Sequence, residues 1–302
     1  MSQNSAQETP KSSSEEMASK GQPVVPVVRL LHHKMCRNGE YPGSRIQRYP
    51  VEDALMKWKK PFPDYQPAFY ESPHIAGKPW SDPSKDSDDF KKIKFNKLDG
   101  KVNRISYLGK YKTFDGIPQN PIGRTGIIGR GLLGRWGPNH AADPIVTRWK
   151  RTESGEIVRN QRTGLGYLQM CAIKRKDCGK WAIPGGMVDP GENVTATLKR
   201  EFAEEALSMN AAPMEVEVFF KLAGKEVYRG YVDDPRNTDN AWIETLAMNF
   251  HDENGDMVGR FNFKAGSDAA RVVWKDIDRN VDLYANHSTM LKQVAENLSA
   301  QW

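Results

Sequence analysis

The stretch Gly185-Gly-Met-Val-Asp-Pro-Gly-Glu-Asn-Val-Thr-Ala-Thr-Leu-Lys-Arg-Glu-Phe-Ala-Glu-Glu205 decides how the chain is read. It opens with two glycines, turns at Pro190-Gly191, and then runs without a breaker from Val194 to Met209, a capped helix by pattern. Val194, Leu198, Phe202 and Ala206 recur at intervals of four and form an apolar stripe that would pin the helix to a core. Glu201, Glu204 and Glu205 share a neighbouring face with Thr197 beside them. Like charges so placed destabilise a helix by about 0.2 to 0.5 kcal/mol per pair unless cations or solvent disperse them. Hard oxygen donors clustered in this way suit a magnesium or manganese ion. Gly185 and Gly186 let bare backbone approach an ion or phosphate. Glu192 and Arg200 are opposite in charge and are expected to tie the glycine loop to the helix. An ordinary acidic helix is the plain alternative, and three glutamates alone would leave it standing.

Around this segment the pattern is regular. Strands are expected at Ile145 to Arg151, Tyr167 to Arg175, Trp181 to Pro184, Val216 to Leu222, Glu226 to Val232, Ala241 to Phe250 and Val272 to Trp274. A terminal helix is expected from about Ser288 to Leu298, where Met290, Leu291, Val294 and Leu298 recur at helical spacing. Strands flanked by a few helices indicate an α+β sandwich.

Upstream the character changes. Residues 1–25 hold almost nothing apolar and are expected to be a disordered lead. Residues 26–140 are rich in proline, aromatic and charged residues and are expected to form an irregular α+β lobe, with 141–302 as the second domain. Gly123 to Gly134 holds five glycines in twelve residues, including a GxGxxG-like spacing from Gly129. The Arg135-Trp-Gly-Pro-Asn-His140 that follows cannot start the helix a dinucleotide fingerprint needs, so a turn-rich connection or ligand-facing loop is expected. Lys91 to Lys112 carries eight basic residues against one acid. A solvated hairpin turning at Asp99-Gly100 is favoured over a nucleic-acid surface, because no recognition motif accompanies it.

Composition narrows the class. The chain has 302 residues, 38% hydrophobic and 27% charged, with a net charge of +6. That is a globular, basic composition suited to an anionic ligand. No run approaches the roughly 20 apolar residues of a membrane span. The three cysteines, Cys36, Cys171 and Cys178, contain no CxxC pair, which points to a reducing compartment rather than a disulfide framework. The first residues carry neither an apolar signal core nor an Arg-rich transit pattern. A cytoplasmic location is therefore expected, with a mitochondrial one open, and nothing in the sequence sets an oligomeric state.

The segment from Gly186 to Glu205 spells G-x5-E-x7-R-E-U-x-E-E, where U is apolar, and so resembles the Nudix box. It departs at Ala206-Leu207-Ser208, where the family usually has a glycine that closes the helix. The resemblance implies a Nudix hydrolase with an α/β/α sandwich, magnesium (or manganese) as cofactor, metal ligands at Glu201, Glu204 and Glu205 with the Gly186 carbonyl as a further one, and Arg200 and Glu192 in support. The likeness is greatest to the ADP-ribose pyrophosphatases and to the ADP-ribose-binding domain fused to melastatin-type cation channels. Its most specific stretches are Gly131 to Pro144, Gly230 to Trp242 and Leu283 to His287. These carry the expected substrate residues His140, Asp234, Arg236, Tyr284 and Asn286. Arg236 has the fork geometry for phosphate, and Tyr284 and Asn286 could stack on and hydrogen-bond adenine or ribose. The expected activity is magnesium-dependent hydrolysis of ADP-ribose to AMP and ribose 5-phosphate, without a nucleic-acid partner. The competing expectation is a sensing domain of a channel, membrane-associated only through a larger protein.

Overall fold

The computed structural model describes residues 33–209, 214–222, 224–258, 261, 263–266 and 269–302. The expected disordered lead lies outside them. In chain order the strands of the first lobe are β1 (Ala68–Glu71), β2 (Leu98–Asp99), β3 (Val102–Asn103), β4 (Thr113–Phe114), β5 (Ile117–Pro118) and β6 (Ile127–Gly131). There follow β7 (Gly137–Trp149), β8 (Leu168–Arg175), β9 (Trp181–Ala182), β10 (Gly186–Met187), helices α1 (Val194–Leu207) and α2 (Met214–Phe219), β11 (Lys225–Tyr231), β12 (Ala241–Asp252), β13 (Ala269–Asp276) and α3 (His287–Asn297).

The main sheet runs β11-β12-β7-β8-β13, with β10 added to β7 and β9 to β8. The β12–β7 pair is parallel and the other pairings along the path are antiparallel. Alternation along the strands splits the core into two layers. Ile145, Leu168, Met170 and Ala172 face α3, which contributes Met290, Leu291, Val294 and Ala295. Ala142, Val146 and Cys171 face α1 and α2, which contribute Leu198, Phe202, Ala206, Val216 and Phe219. Helices on both faces of one sheet make the α/β/α sandwich.

One expected element changes type. Val216 to Leu222 alternates like a strand, yet Met214–Phe219 is helical. Val216, Phe219 and Phe220 are buried at helical spacing in the layer of Phe202, with the Phe202 and Phe220 rings 5.6 Å apart. Burial against α1 outweighs the strand propensity of a short segment. The strand expected from Ile145 begins eight residues earlier, at Gly137, and the remaining expected strands and the terminal helix are present within a few residues.

The first lobe is held mainly by polar contacts to buried guanidinium groups. Arg124 donates to the carbonyls of Leu55, Lys57 and Lys60, and Arg48 to those of Thr125, Pro235 and Asn237. Within the glycine-rich segment Ile127–Gly131 is a strand, parallel to β1, the residues on either side are turns, bends and irregular backbone, and none of it lines the large cleft described below. Gly129 and Gly131 have φ of +93° and +59°, and a Cβ there would strike the Tyr70 carbonyl and the Tyr41 hydroxyl. Close backbone approach, not phosphate binding, accounts for these glycines. The basic run contains the expected hairpin of β2 and β3. The division at residue 140 falls inside β7, which carries the lobe directly into the sandwich. Among the described residues no helix is long and apolar enough to cross a membrane.

Arg104 and Asp82 form a bidentate pair at 2.7 and 2.9 Å, with side chains 4% and 2% exposed. Asp82 also accepts from Arg135 and from the Trp136 backbone, each at 2.9 Å. Burial alone would raise the Asp82 carboxyl, but Arg104 and then Arg135 outweigh it and hold it below its ordinary 3.8. Asp82→Asn removes the carboxylate shared by Arg104 and Arg135, leaving Arg104 with Asp99 alone, and should destabilise the fold by about 3 to 5 kcal/mol in urea unfolding. In the unaltered protein this contribution is present above about pH 3.8 and is lost as pH falls through the lower folded value, which acid titration of the variant against the parent should reveal.

Candidate active site

A cleft of about 590 Å³ opens at one end of the sheet. β7 contributes Ala141 and Asp143, the glycine loop Gly185 and Gly186, α1 its three glutamates, and the segment after β11 contributes Asp234 and Arg236. Arg175, Lys176 and Asp177 at the end of β8, Thr245 of β12, and Tyr284 and His287 complete the wall.

The helix is placed by its caps and its stripe. Asn193 accepts from the Ala196 backbone at 2.9 Å. At the far end Ser208 takes the left-handed conformation, φ 54°, where the box usually has glycine, and Met209 N–H closes on the Ala203 carbonyl at 3.0 Å. Leu198, Phe202 and Ala206 are wholly buried, so the adjoining glutamate face is directed to the glycine loop.

Arg200 organises that face. Its Nε and Nη2 donate to the two Glu192 oxygens, both at 3.0 Å. Its Nη1 donates to Glu201 Oε1 at 2.8 Å and Glu204 Oε2 at 3.2 Å, and Nη2 also reaches the Met187 carbonyl at 3.1 Å. Thr197 donates to Glu192 at 2.8 Å, and Glu205 accepts from the Gly185 backbone at 2.9 Å. Burial pushes the Glu201 carboxyl up to about 7 against the pull of Arg200. The exposed edge of the set is Glu204, 42% accessible.

The donor set fits a hard divalent cation in kind: buried and half-buried carboxylate oxygens beside a backbone whose glycine leaves room for them. A Cβ on Gly186 would stand on the Glu201 carboxylate. As the residues stand, no group of three or more His, Cys, Asp or Glu among the described residues is drawn together at metal-holding distance. Arg200 engages two of the carboxylates, and the Gly185 N–H engages the third.

At the other end of the cleft Asp234 is clamped. Its Oδ1 accepts from the Arg236 N–H and Nε at 2.8 Å each, and its Oδ2 accepts from Arg236 Nη2 and the Tyr284 hydroxyl at 2.9 Å each. Burial would raise Asp234, and Arg236 lowers it below the usual carboxylate range. Two of the three guanidinium nitrogens of Arg236 are therefore engaged, while a third of the side chain remains exposed. Arg175 lies over the Tyr284 ring at 4.4 Å and pairs with Asp177 at 2.7 Å.

Two expected substrate residues are placed differently. His140 does not line the cleft. Residues 141 and 143 do, and the two-residue period of β7 turns position 140 to the opposite face. There its ring lies 4.7 Å from Tyr107 in a small cavity with Lys101, Asp189 and Glu192, and burial lowers it to about 4. Asn286 heads α3, and its neighbours Ala285 and His287 line the cleft in its stead. Arg200 and Glu192 stand behind the wall rather than in it.

The sequence reading omitted Asp143, Arg175 and His287. Asp143 accepts from Thr245 at 2.6 Å and burial pushes it up to about 6. His287 accepts from the Ile183 backbone at 3.0 Å, and burial lowers it to about 4. Asp143 and His287 each stand within one of the stretches that carry the resemblance, but a lone acid or histidine gives no signal of the wall it joins.

Comparison with known families agrees with this geometry. Residues 51–137 match the model of a NUDT9-like N-terminal domain, and residues 150–294 match the NUDIX domain. The chain belongs to the Nudix hydrolase family. It is 50% identical over 279 residues to the mitochondrial ADP-ribose pyrophosphatase of Rattus norvegicus, covering 89% of this chain and 79% of the relative. It is 46% identical over 272 residues to the putative nudix hydrolase 6 of Caenorhabditis elegans, covering 88% of this chain and 98% of the relative. A transient receptor potential cation channel subfamily M member-like 2 of Nematostella vectensis is 49% identical over 290 residues, 92% of this chain and 18% of that channel.

Gly186→Ala tests the glycine loop of this hydrolase. The added methyl must displace the Glu201 carboxylate, a side-chain end rather than backbone. The variant should fold with a melting temperature within about 4 °C of the parent. Its kcat should fall by about tenfold or more, and thermal unfolding with steady-state kinetics reads both.

Proposed function

We propose that this Nudix hydrolase cleaves ADP-ribose with water to AMP and ribose 5-phosphate, using magnesium or manganese. The observation that carries the reading is the two-ended cleft, with the Glu201, Glu204 and Glu205 carboxylates at one end and the Asp234–Arg236–Tyr284 clamp with Arg175 at the other. Its volume suits a dinucleotide-sized ligand. The name of the rat relative, an ADP-ribose pyrophosphatase, supports the substrate.

In this reading Glu201, Glu204 and Glu205, with the Gly186 carbonyl, hold the cation. A bound divalent ion supplies charge neutralisation at the pyrophosphate and polarises its phosphoryl oxygens. Arg200 and Glu192 keep the glycine loop and the helix in fixed relation, a positioning role. The open edge of Arg236 and the Arg175 guanidinium offer donors to phosphate or ribose oxygens, and the Tyr284 ring, already backed by Arg175, offers a face for the ligand. Water adds at phosphorus, the bridging phosphorus–oxygen bond breaks, and the leaving phosphate departs as an anion, so positioning and electrostatics do the chemistry. The few cysteines, all free, support a reducing compartment. The rat relative is named as mitochondrial, and a mitochondrial or cytoplasmic location is the corresponding proposal.

A second reading is favoured by one observation, the 49% identity to part of a channel: the same cleft binds ADP-ribose as a signal. Incubation with ADP-ribose and magnesium separates the two. Release of AMP supports the hydrolase, and tight binding without AMP at any magnesium or manganese concentration supports the sensor.

Chelation with EDTA should stop AMP release and leave ADP-ribose binding measurable by calorimetry, weaker by about 1 to 3 kcal/mol for the lost bridging charge. AMP release undiminished in EDTA would refute the metal role of the three glutamates. Glu204→Gln keeps the size of an exposed side chain and removes its charge. It should lower kcat by more than about tenfold, or 1.4 kcal/mol, with circular dichroism unchanged. Arg236→Ala should reduce kcat/KM for ADP-ribose by about 2 to 3 kcal/mol equivalent.

A further inference from the structure

The first lobe holds a second cleft, about 460 Å³, that shares no lining residue with the catalytic one. Lys57, Lys59, Lys110 and Lys112 stand around it, with Trp58 and Ile122 in its lining. Among the described residues no acidic one lines it. Two of these lysines, Lys110 and Lys112, end the basic run singled out in the sequence. The run divides in the structure: Lys91 and Lys92 pair with Asp88 and Asp89, and Arg104 is buried with Asp82 and Asp99. Lys59, Lys110 and Lys112 are exposed and make no ion pair among the described residues. Lys57 donates to the Ile122 carbonyl at 3.1 Å, and burial lowers its pKa.

The cleft is built rather than incidental. Arg124, 7% exposed, ties the carbonyls of Leu55, Lys57 and Lys60 together at 2.7 to 3.1 Å and lies 5.0 Å from the Trp58 ring centre. The Trp58 indole N–H donates to the Asn120 carbonyl at 2.8 Å. The Lys57-Trp58-Lys59 edge is thereby fixed before any ligand arrives. Asn120 in turn donates to the Tyr231 hydroxyl and the Thr238 carbonyl, both at 3.1 Å, so the floor of this cleft abuts the loop that carries Asp234 and Arg236.

Four ammonium groups around a small cavity without a carboxylate repel one another and attract an anion. The indole of Trp58 and the sec-butyl side chain of Ile122 among them suit a flat apolar group. The volume lies in the range of small-molecule sites and is bounded on several sides. We propose that this cleft is a second binding site, for a nucleoside polyphosphate, with the phosphates among Lys57, Lys59, Lys110 and Lys112 and the base against Trp58.

ATP titrated by calorimetry into the full chain in EDTA tests the site. The parent should bind with a Kd below about 1 mM. Lys59→Glu, Lys110→Glu and Lys112→Glu combined reverse three exposed, unpaired charges and should weaken ATP by at least about tenfold, with the melting temperature and ADP-ribose turnover in magnesium unchanged. Arg175→Ala, which alters the catalytic cleft away from that loop, should leave ATP affinity within about twofold. Inorganic tripolyphosphate should bind at least about tenfold more weakly than ATP, because it has no base to stack. A Kd for ATP weaker than about 1 mM in the parent would overturn the proposal. So would equal affinity in the triple variant, loss of ATP binding in Arg175→Ala in its place, or tripolyphosphate binding as tightly as ATP.

Discussion

The loop from Asp234 to Asn240 is the constraint on which the two halves of the molecule depend. Asp234, Asn237, Thr238 and Asp239 are almost wholly buried, and buried polar groups must find partners. Asn237 donates to the Tyr231 hydroxyl and the Val232 carbonyl, and accepts from the Ile243 N–H. Thr238 donates to the Gly129 carbonyl at 2.6 Å. Asp239 accepts from the Thr125 N–H and hydroxyl through one oxygen and from the Tyr65 hydroxyl through the other. Gly129, Thr125 and Tyr65 among these partners belong to the first lobe. Without them the loop would bury unpaired amides and carboxylates at a cost of about 1 to 3 kcal/mol each, so the lobe acts as a structural component of the cleft.

The same economy governs α1. Its apolar stripe packs on the sheet and fixes its rotation, which leaves the glutamates no choice of face. Arg200 then disperses their mutual repulsion while it holds Glu192 and the Met187 carbonyl. One guanidinium thus couples loop geometry to helix electrostatics. The Glu201 carboxyl, raised to about 7 by burial, lacks full compensation from Arg200, and a further cation beside it would complete the balance.

The lobe also explains why its composition is so basic and aromatic. Arg48, Arg104, Arg124 and Arg130 are each buried and serve as hydrogen-bond hubs for carbonyls and carboxylates that short strands leave unpaired. An irregular chain has few ladders to satisfy its backbone, and the five donors of a guanidinium group replace them. The lysines, more strongly hydrated, stay mostly at the surface, where four of them surround the second cleft and one of the four, Lys57, donates to a carbonyl, that of Ile122.

The sequence alone determined the elements whose signals are local. The stripe at Val194, Leu198, Phe202 and Ala206 set the helix and the face of its glutamates. Glu192 and Arg200 were recognisable as a pair because opposite charges flanked one loop, and the alternating strands after residue 144 announced the sandwich. Tertiary structure decided what depends on distant neighbours. It made Met214–Phe219 a helix because Val216 and Phe219 are buried against α1, and it made Ile127–Gly131 a strand because β1 lay beside it. It also turned His140 away from the cleft while admitting Asp143, through a strand register that no local signal in Asn139-His-Ala-Ala-Asp143 specifies. The pairing of Asp234 with both Arg236 and Tyr284, 50 residues further on, likewise needed the folded chain. Side-chain periodicity is a property of a segment, whereas membership of a cleft is a property of which segments meet.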